Sequence, residues 1–400
     1  MDLRDDARAM AGDLSTLRHA LHQEPEVGLD LPRTQEKVLQ AIDPLPLEVS
    51  TGKGLSSVTA VLRGARPGPT VLLRGDMDAL PVQEEVDVPF RSRVEDRMHA
   101  CGHDLHTTML VGAAGLLSAQ RESLAGDVVF MFQPGEEGHD GAGHMLREGV
   151  LDVTGSRPVA AYALHVISAR WPQGKFVTRP GPMLAASDAV VVTVRGRGGH
   201  GSAPHRANDP VPAACEMVTA LQTFVTRSID AFDPAVITVG EFHAGSRRNV
   251  IPAEARFEAT VRSFRPEVHE ALERGVPRVC EGIAAAHGVD VDVEYRAEYP
   301  VTVNSADEAA YAAESASELF GADRFELAEN PITGSEDFSR VLGHVPGAMV
   351  FLGAAIDGRD HEDAPDNHSP LAAFDDAVLA DGAALYATLA AGRLAGEVAS

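Results

Sequence analysis

Five side chains of metal-ligating type are spread along this chain, each beside a run of residues that is typical of a buried strand. They are Cys101 and His103 in MHACGHDLH, Glu137 in FMFQPGEEG, His165 in YALHV and His368 in DNHSP. Thiolate, imidazole and carboxylate groups form the ligand set of zinc and similar divalent metals. An open α/β sheet builds its active site where several strand ends converge. The set therefore predicts a metal-dependent hydrolase.

The segment Cys101-Gly-His103 is the most specific of these signals. A thiolate and an imidazole two residues apart, on a glycine turn before a helix, can reach one metal ion or bridge two. A lone cysteine is more often a small buried hydrophobic residue. Here, however, His99, Asp104 and His106 crowd the same loop beside an apolar strand. Burying this many ionisable groups costs free energy unless something binds them. We therefore expect this loop to bind metal.

Two pairs of carboxylates accompany these ligands. Glu136 and Glu137 are adjacent, so their side chains diverge and suit different tasks: one binds metal and the other accepts the proton of an attacking water. A solvated acidic loop is the alternative interpretation. Asp76 and Asp78 share a strand face, which is typical of carboxylates that orient metal-ligating imidazoles, although a simple turn at a strand end would also explain them.

The elements that must position these side chains alternate between strand and helix in the first part of the chain. Apolar runs predict strands at 56–64, 70–81, 127–134 and 160–166. Helical periodicity predicts helices at about 5–23, 34–42 and 105–120. This order is typical of an α/β domain with a mostly parallel sheet flanked by helices. The same style returns near the end of the chain, around His368.

Between these parts the order changes to βαββαβ, which can fold as a compact ferredoxin-like domain. We therefore expect a discontinuous catalytic domain, 1–186 and 300–400, with residues 187–299 as an inserted domain. The insertion carries a glycine-rich loop, RGRGGHGSAPH, with His200 and His205, and it carries Asn249 in RRNVIP. The loop lacks the GxxxxGK[ST] pattern of a phosphate loop, and simple loop flexibility would also account for its composition.

Composition limits the class of protein. A length of 400 residues indicates two domains. A net charge of −25 argues against nucleic acid and anionic membranes as partners. Three widely spaced cysteines do not make a disulfide framework, and no apolar run is long enough to span a bilayer. The sequence MDLRDDARAM lacks the apolar region of a signal peptide, so we expect a cytoplasmic protein.

The motifs RGDMDALP, MHACGHDLH, QPGEEG, LHV, GGHGSAPH, NVIP, GSEDFS and NHSP occur in this order along nearly the whole chain. With these motifs in this order, the chain closely resembles the amidohydrolase branch of the dinuclear metallo-aminoacylases and carboxypeptidases. That branch includes hippurate hydrolases, N-acetyldiaminopimelate deacetylases and plant hydrolases of indole-acetyl-amino-acid conjugates. The resemblance implies hydrolysis of an N-acyl amino acid to a carboxylic acid and a free amino acid.

The resemblance also implies a set of two divalent metal ions, zinc, manganese, nickel or cobalt. Cys101 would bridge them. His103 and His165 would complete one site, and Glu137 and His368 would complete the other.

The resemblance also implies roles for the remaining polar residues. Glu136 would be the general base and Asp78 would orient the site. The inserted domain, 187–299, would be a lid that also forms a homodimer. His200 and Asn249 would reach toward substrate from this lid, His200 either in its own or in the partner subunit's site. Where distant relatives place a ligand histidine two residues before the orienting aspartate, this chain has Asp76, so a ligand role for Asp76 stays open.

Two other functions remain open at this stage. The nearer one is a dipeptidase with the same machinery and a different pocket on the amine side. The other is a non-catalytic binding or dimerisation module on the same fold, against which the complete ligand set and Glu136 argue.

Overall fold

The computed structural model describes residues 3–358 and 360–396. Two compact units are distinguished, and each is described by itself. The first unit holds the residues up to 183, Val303–Asn330 and those from Arg340 onward; the second holds Leu184–Thr302 and Pro331–Ser339. The predicted range 187–299 lies within the second unit, whereas 184–186, 300–302 and 331–339 of that unit fall in the predicted catalytic domain.

The α-helices are α1 Leu3–Ala9, α2 Ala11–His22, α3 Pro32–Ile42, α4 His103–Ala119, α5 Gly141–Arg147, α6 Pro210–Ser228, α7 Pro266–His287, α8 Ala306–Phe320, α9 Phe338–Leu342 and α10 Val378–Ala395. The strands are β1 Glu48–Thr51, β2 Val58–Arg63, β3 Arg66–Asp76, β4 Ala125–Gln133, β5 Ala160–Ile167, β6 Phe176–Thr178, β7 Gly181–Leu184, β8 Ala186–Arg195, β9 Gly199–His200, β10 Ala235–Ala244, β11 Val250–Ile251, β12 Glu254–Ser263, β13 Asp290–Tyr299, β14 Thr302–Asn304, β15 Phe325–Leu327 and β16 Gly347–Gly353.

The first unit is built on an eight-stranded sheet in the order β1-β2-β4-β3-β5-β16-β6-β15. Its centre, β4-β3-β5-β16, is parallel, and β1, β2 and β6 add antiparallel pairings. The predicted α/β class with a mainly parallel sheet is confirmed. Strand β3 has β4 on one side and β5 on the other, so the direction of winding reverses there. Ligands of open α/β sheets bind at such a reversal, outside the carboxyl ends of the strands.

Helix α4 lies against this sheet and packs on α10. Nearly all of its residues are buried, which explains its small and apolar composition. The two helices approach closely at small residues: a Cβ on Gly112 would lie 2.8 Å from the Cβ of Ala383, and one on Gly382 would collide with Met109. This packing holds α4, which begins at His103, against the sheet.

The second unit has an antiparallel sheet in the order β10-β12-β8-β13, with α6 and α7 packed on it. In chain order these elements give βαββαβ, so the predicted ferredoxin-like topology is confirmed. Buried and more exposed residues alternate along β12, as expected for a sheet with one covered face. A short ribbon of β9 and β11 accompanies the sheet. Among the described residues, no helix of either unit is long and apolar enough to cross a bilayer.

Candidate metal centre

Cys101 lies at the middle of the candidate centre. Its Sγ is 3.4 Å from Nε2 of His165 and 3.3 Å from Nε2 of His368. The thiol belongs to two groups whose ligand atoms all lie within 4.8 Å of one another, one with His103 and His165 and the other with Glu137 and His368. The structure therefore brings the five metal-ligating side chains together around one sulfur atom, in the first unit.

The turn that carries Cys101 depends on Gly102. This residue has a left-handed φ of +84°, and a Cβ placed on it would lie 2.3 Å from Cγ2 of Val166. Glycine alone meets both requirements without strain. Since α4 begins at His103, the turn delivers a thiol and an imidazole side by side at the carboxyl end of β3.

His165 extends from β5, and its ring orientation is fixed by the backbone. Nδ1 donates to the carbonyl oxygen of Val166 at 2.8 Å, so Nε2 carries the lone pair and faces Cys101. Burial holds the pKa of His165 well below its usual range. The ring is therefore neutral at neutral pH, which is the form that binds metal.

His368 is held in place from the other side of the centre. Its backbone has a left-handed φ of +71°, and its N–H donates to the carbonyl oxygen of Ala100 at 2.9 Å. Nε2 lies 3.2 Å from Oε1 of Glu137. Contact with the Cys101 sulfur and with this carboxylate raises the pKa of His368 to about 10. The surroundings of this ring therefore favour positive charge, as those of a cation site do.

His103 gives the clearest test of whether a metal fits. Both of its ring nitrogens are buried and make no hydrogen bond within the described part of the chain. Leaving a buried polar group unsatisfied costs about 1–3 kcal/mol, so such a group needs an explanation. Burial opposes protonation, yet the negative charge of Asp76 raises the pKa of His103 well above its usual range. An orphaned imidazole among carboxylates and a thiol fits a bound divalent cation.

Asp78 organises the two adjacent glutamates. Its Oδ1 accepts the backbone N–H of Glu136 and its Oδ2 accepts that of Glu137, both at 3.0 Å. Oδ1 also lies 3.5 Å from Nδ1 of His103. Glu136 is 6% exposed, and its carboxylate belongs to one close group with His103 and Glu137. Asp78 thus sets the positions of a candidate ligand and of the candidate base.

Asp76 is engaged elsewhere. One carboxylate oxygen accepts from Nδ1 of His106 at 2.6 Å, and the other pairs with Arg74. Although burial raises the pKa of a carboxyl group, Arg74 and the neighbouring histidines hold the pKa of Asp76 well below its usual range. Its nearest approach to a candidate ligand is 3.8 Å, from Oδ2 to Nε2 of His103. Asp76 therefore anchors the carboxyl end of β3.

His106 is a contributor whose task sequence reasoning did not identify. Its Nδ1 donates to Asp76, and its Nε2 accepts the backbone N–H of Val166 at 2.7 Å. Both nitrogens are thus used in tying the end of β3 to the end of β5, beside His165. The signal in the sequence was its place in MHACGHDLH, three residues after His103 on the same helix.

Asn367 is a second contributor that was missed. Its Nδ2 donates to the carbonyl oxygens of Cys101 and Val166 at 3.2 and 3.0 Å, and its Oδ1 accepts from the backbone N–H of Ser168 at 2.9 Å. It joins the cysteine turn, the end of β5 and the loop of His368. Its only sequence signal was adjacency to that histidine.

His200 and Asn249 lie in the second unit and are exposed. They are neighbours there: His200 pairs with Val250 in the β9–β11 ribbon, and the N–H of Gly201 donates to the carbonyl oxygen of Asn249 at 2.9 Å. Nδ1 of His200 accepts the backbone N–H of Ser202 at 3.2 Å. Since Nδ1 accepts a hydrogen bond, the other ring nitrogen, Nε2, carries the hydrogen and is a donor.

Comparison with known proteins places this arrangement among peptidases. The profile of Peptidase family M20/M25/M40 matches residues 72–392. The chain is 36% identical to the hippurate hydrolase of Campylobacter jejuni, over 98% of this chain and 99% of that protein. It is 35% identical to thermostable carboxypeptidase 2 of Saccharolobus solfataricus, over 97% of each.

Solved structures give the same result. A putative aminohydrolase from methicillin-resistant Staphylococcus aureus superimposes with a TM-score of 0.91 at 31% identity, covering 99% of each chain. The Bacillus subtilis YXEP protein, a dinuclear metal-binding peptidase of the M20 family, superimposes with a TM-score of 0.82 at 30% identity, covering 97% of this chain and 99% of that one.

Proposed function

Because this chain belongs to Peptidase family M20/M25/M40, we propose that it is a metal-dependent amidohydrolase that cleaves N-acyl amino acids to a carboxylic acid and a free amino acid. The observation that carries the proposal is the position of Cys101 between two groups of ligand atoms. Relatives of comparable length support the substrate class, since they include a hippurate hydrolase and an N-acetyldiaminopimelate deacetylase.

The centre holds two divalent ions in this proposal, zinc, manganese, nickel or cobalt. Cys101 is shared, His103 and His165 complete one site, and Glu137 and His368 complete the other. The dinuclear YXEP protein supports this stoichiometry. Bound there, such ions lower the pKa of a water molecule and polarise the amide carbonyl.

Glu136 is the general base. It accepts a proton from the attacking water and returns it to the nitrogen of the leaving amino acid. Two features support this assignment: its backbone is fixed by Asp78, and its carboxylate lies beside Glu137 and His103 in a largely buried setting. In the same proposal Asp78 fixes the positions of Glu136 and His103 relative to each other.

Residues 187–299 act as a lid on a catalytic domain formed by 1–186 and 300–400. Within it, His200 donates from Nε2 to the oxyanion of the tetrahedral intermediate, and Asn249 binds the substrate carboxylate. Their adjacency on the β9–β11 ribbon supports a shared task.

The same lid forms a homodimer in this proposal. Strand β10 is an edge of its sheet, and it exposes 47% of Val236 and 38% of Phe242. Edge strands with exposed apolar residues pair readily with another chain. A cytoplasmic location is part of the proposal too, because none of the three cysteines is in a disulfide, as expected in a reducing compartment.

A dipeptidase is the second candidate, and the identity with thermostable carboxypeptidase 2 favours keeping it. One screen separates the two. It compares acetyl-, benzoyl-, indole-acetyl- and long-chain N-acyl amino acids with dipeptides, adding Mn²⁺, Zn²⁺, Co²⁺ and Ni²⁺ separately. We expect the highest kcat/KM on an N-acyl amino acid. A higher kcat/KM on dipeptides would replace the proposal by its alternative, and no turnover with any metal would favour a binding module.

A further inference from the structure

A cavity of about 250 Å³ lies in the first unit, between α2, the segment 84–90 and the segment 372–376. None of the proposed metal ligands lines it. Its apolar walls are formed by Val86, Val88, Phe90, Ile356, Ala372 and Phe374. An apolar cavity of about 150 Å³ is enough to hold benzene. The space therefore suits a molecule with one ring or a branched body of similar size.

A buried cation forms part of the wall. Arg18 is 2% exposed, and its Nε and Nη1 donate to Asp104 and Asp376 at 2.7 and 3.2 Å. Within the described part of the chain these two nitrogens account for its hydrogen bonds, which leaves the donors of Nη2 for a bound molecule. A buried donor beside apolar walls is what fixes the orientation of a small ligand.

The carboxylates around the cavity are already satisfied. Glu84 accepts from Nε2 of His22 at 3.2 Å and from the backbone N–H of Ser92 at 2.7 Å. Asp375 accepts the backbone N–H groups of Ala377 and Asp357.

Asp376 is likewise shared between Arg18 and His19, at 3.2 and 2.7 Å. A cationic ligand would therefore find no free carboxylate among these three. An anionic ligand would meet the combined negative charge of these three carboxylates and of Asp104, which Arg18 and the ring of His22, bonded to both Asp104 and Glu84, do not outweigh.

We propose that this cavity binds a small neutral molecule that combines an apolar ring or branched body with one hydrogen-bond acceptor, which receives a bond from Nη2 of Arg18. The acceptor is a carbonyl, amide or hydroxyl oxygen. The proposal does not depend on the hydrolase reaction, because the metal ligands lie outside the cavity wall.

Such a molecule would bind next to the first turn of α4. Asp104 directly follows His103, and it is held by Arg18 and by Nδ1 of His22, the latter at 2.8 Å. The bound molecule and this turn therefore share one guanidinium.

Binding of benzamide, benzoate and toluene to the metal-loaded enzyme, measured by ligand-observed NMR and calorimetry, tests the proposal. Benzamide supplies the ring and the acceptor, toluene lacks the acceptor and benzoate adds a negative charge. We expect benzamide to bind more tightly than either of the others. Binding at the cavity is the part that Ala372→Phe abolishes, which separates it from binding of benzoate, a carboxylic acid of the product class, at the metal centre. At the cavity, equal or tighter binding of benzoate, or no binding of benzamide up to its solubility limit, would overturn the proposal.

A cavity-filling variant locates the site. Ala372→Phe should weaken benzamide binding at least about tenfold, or about 1.4 kcal/mol. Val49→Phe, on an exposed edge strand, adds the same bulk away from the cavity and should bind as the wild type does. Val88→Trp provides a second block if Ala372→Phe does not fold. Unchanged binding in a folded cavity variant would contradict the assignment.

Discussion

Asp78 holds the backbone of Glu136, accepting its N–H at 3.0 Å with one oxygen of a buried carboxylate. The other oxygen holds Glu137 in the same way, so a single side chain aligns two adjacent glutamates whose carboxylates lie within 4.8 Å of one another. The same carboxylate lies 3.5 Å from the ring of His103. The candidate base and two candidate ligands therefore share one support.

The two glutamates should give different phenotypes. Glu136→Gln removes the proton acceptor but keeps size and backbone contacts, so turnover should fall by about 10²–10⁴ while metal content stays nearly intact. Glu137→Gln should instead weaken metal binding. Steady-state kinetics with elemental analysis on both variants makes the comparison. Exchanged phenotypes would show that the division of labour is reversed.

His106 should affect the metal centre only by holding neighbouring residues in place. His106→Ala removes the link between Asp76 and the backbone of Val166, and loss of such supporting contacts typically lowers metal affinity or activity about 10–100-fold. Chelator competition measures the affinity. His243→Ala, an exposed histidine in the second unit, is the matched control and should show no change. An unaltered affinity in folded His106→Ala would remove His106 from the support of the centre.

His200 should affect chemistry and leave the metal in place. His200→Ala should keep both ions and the fold while kcat falls by about 10²–10³, the usual value of one oxyanion donor. His205→Ala, in the same glycine-rich loop, controls for a general effect on that loop. A kcat equal to that of the wild type would exclude the donor role.

Subunit mixing then asks which site His200 serves. If His200 acts in the partner's site, heterodimers of His200→Ala with Glu136→Gln should recover activity, because one site combines an intact base with an intact lid histidine. Absence of rescue, with subunit exchange confirmed independently, would confine His200 to its own chain.

A pH effect on stability is expected in the second unit. His269 donates to the buried carboxylate of Asp188 at 2.9 Å; this bond raises the pKa of His269, helped by the nearby charges of Glu273 and Glu270. Since the folded pKa is above the unfolded value of about 6.5, the stabilisation is complete below that value and is lost as pH rises through the folded pKa.

His269→Gln should therefore cost up to about 1 kcal/mol more near pH 5.5 than at pH 9, a size set by the partial exposure of the pair. Denaturant unfolding of both proteins at the two pH values measures this. A cost that grows with pH would contradict the assignment.

Sequence reasoning succeeded where periodicity was long and its ends were marked. Helix α7, one of the two helices of the predicted βαββαβ unit, has both ends marked, because Pro266 can begin a helix and Gly288 ends it with a left-handed φ of +63°. The helix expected over 5–23 is two helices instead, α1 and α2, separated at Met10. Helix α5 was missed because seven residues carry too little periodicity.

The candidate metal centre could likewise be predicted from the sequence only in part. The convergence of the five candidate ligands could be predicted because each belongs to a residue type with few other uses beside a buried strand end. The tasks of Asp76, His106 and Asn367 could not, because they depend on groups that are distant in sequence: the ring of His106 for Asp76, and backbone groups for His106 and Asn367. The hydrogen bond from the backbone N–H of Val166 to His106 cannot be inferred from the amino-acid sequence.

The central claim is that one thiolate serves two metal ions, and elemental analysis of metal-loaded protein tests it most directly. The wild type should contain about two equivalents of divalent metal per chain, as in a co-catalytic pair. Cys101→Ala should lose both metal and activity, whereas Cys215→Ala, at an exposed cysteine of the second unit, should lose neither. A stoichiometry that never exceeds one equivalent in fully active enzyme would contradict the account.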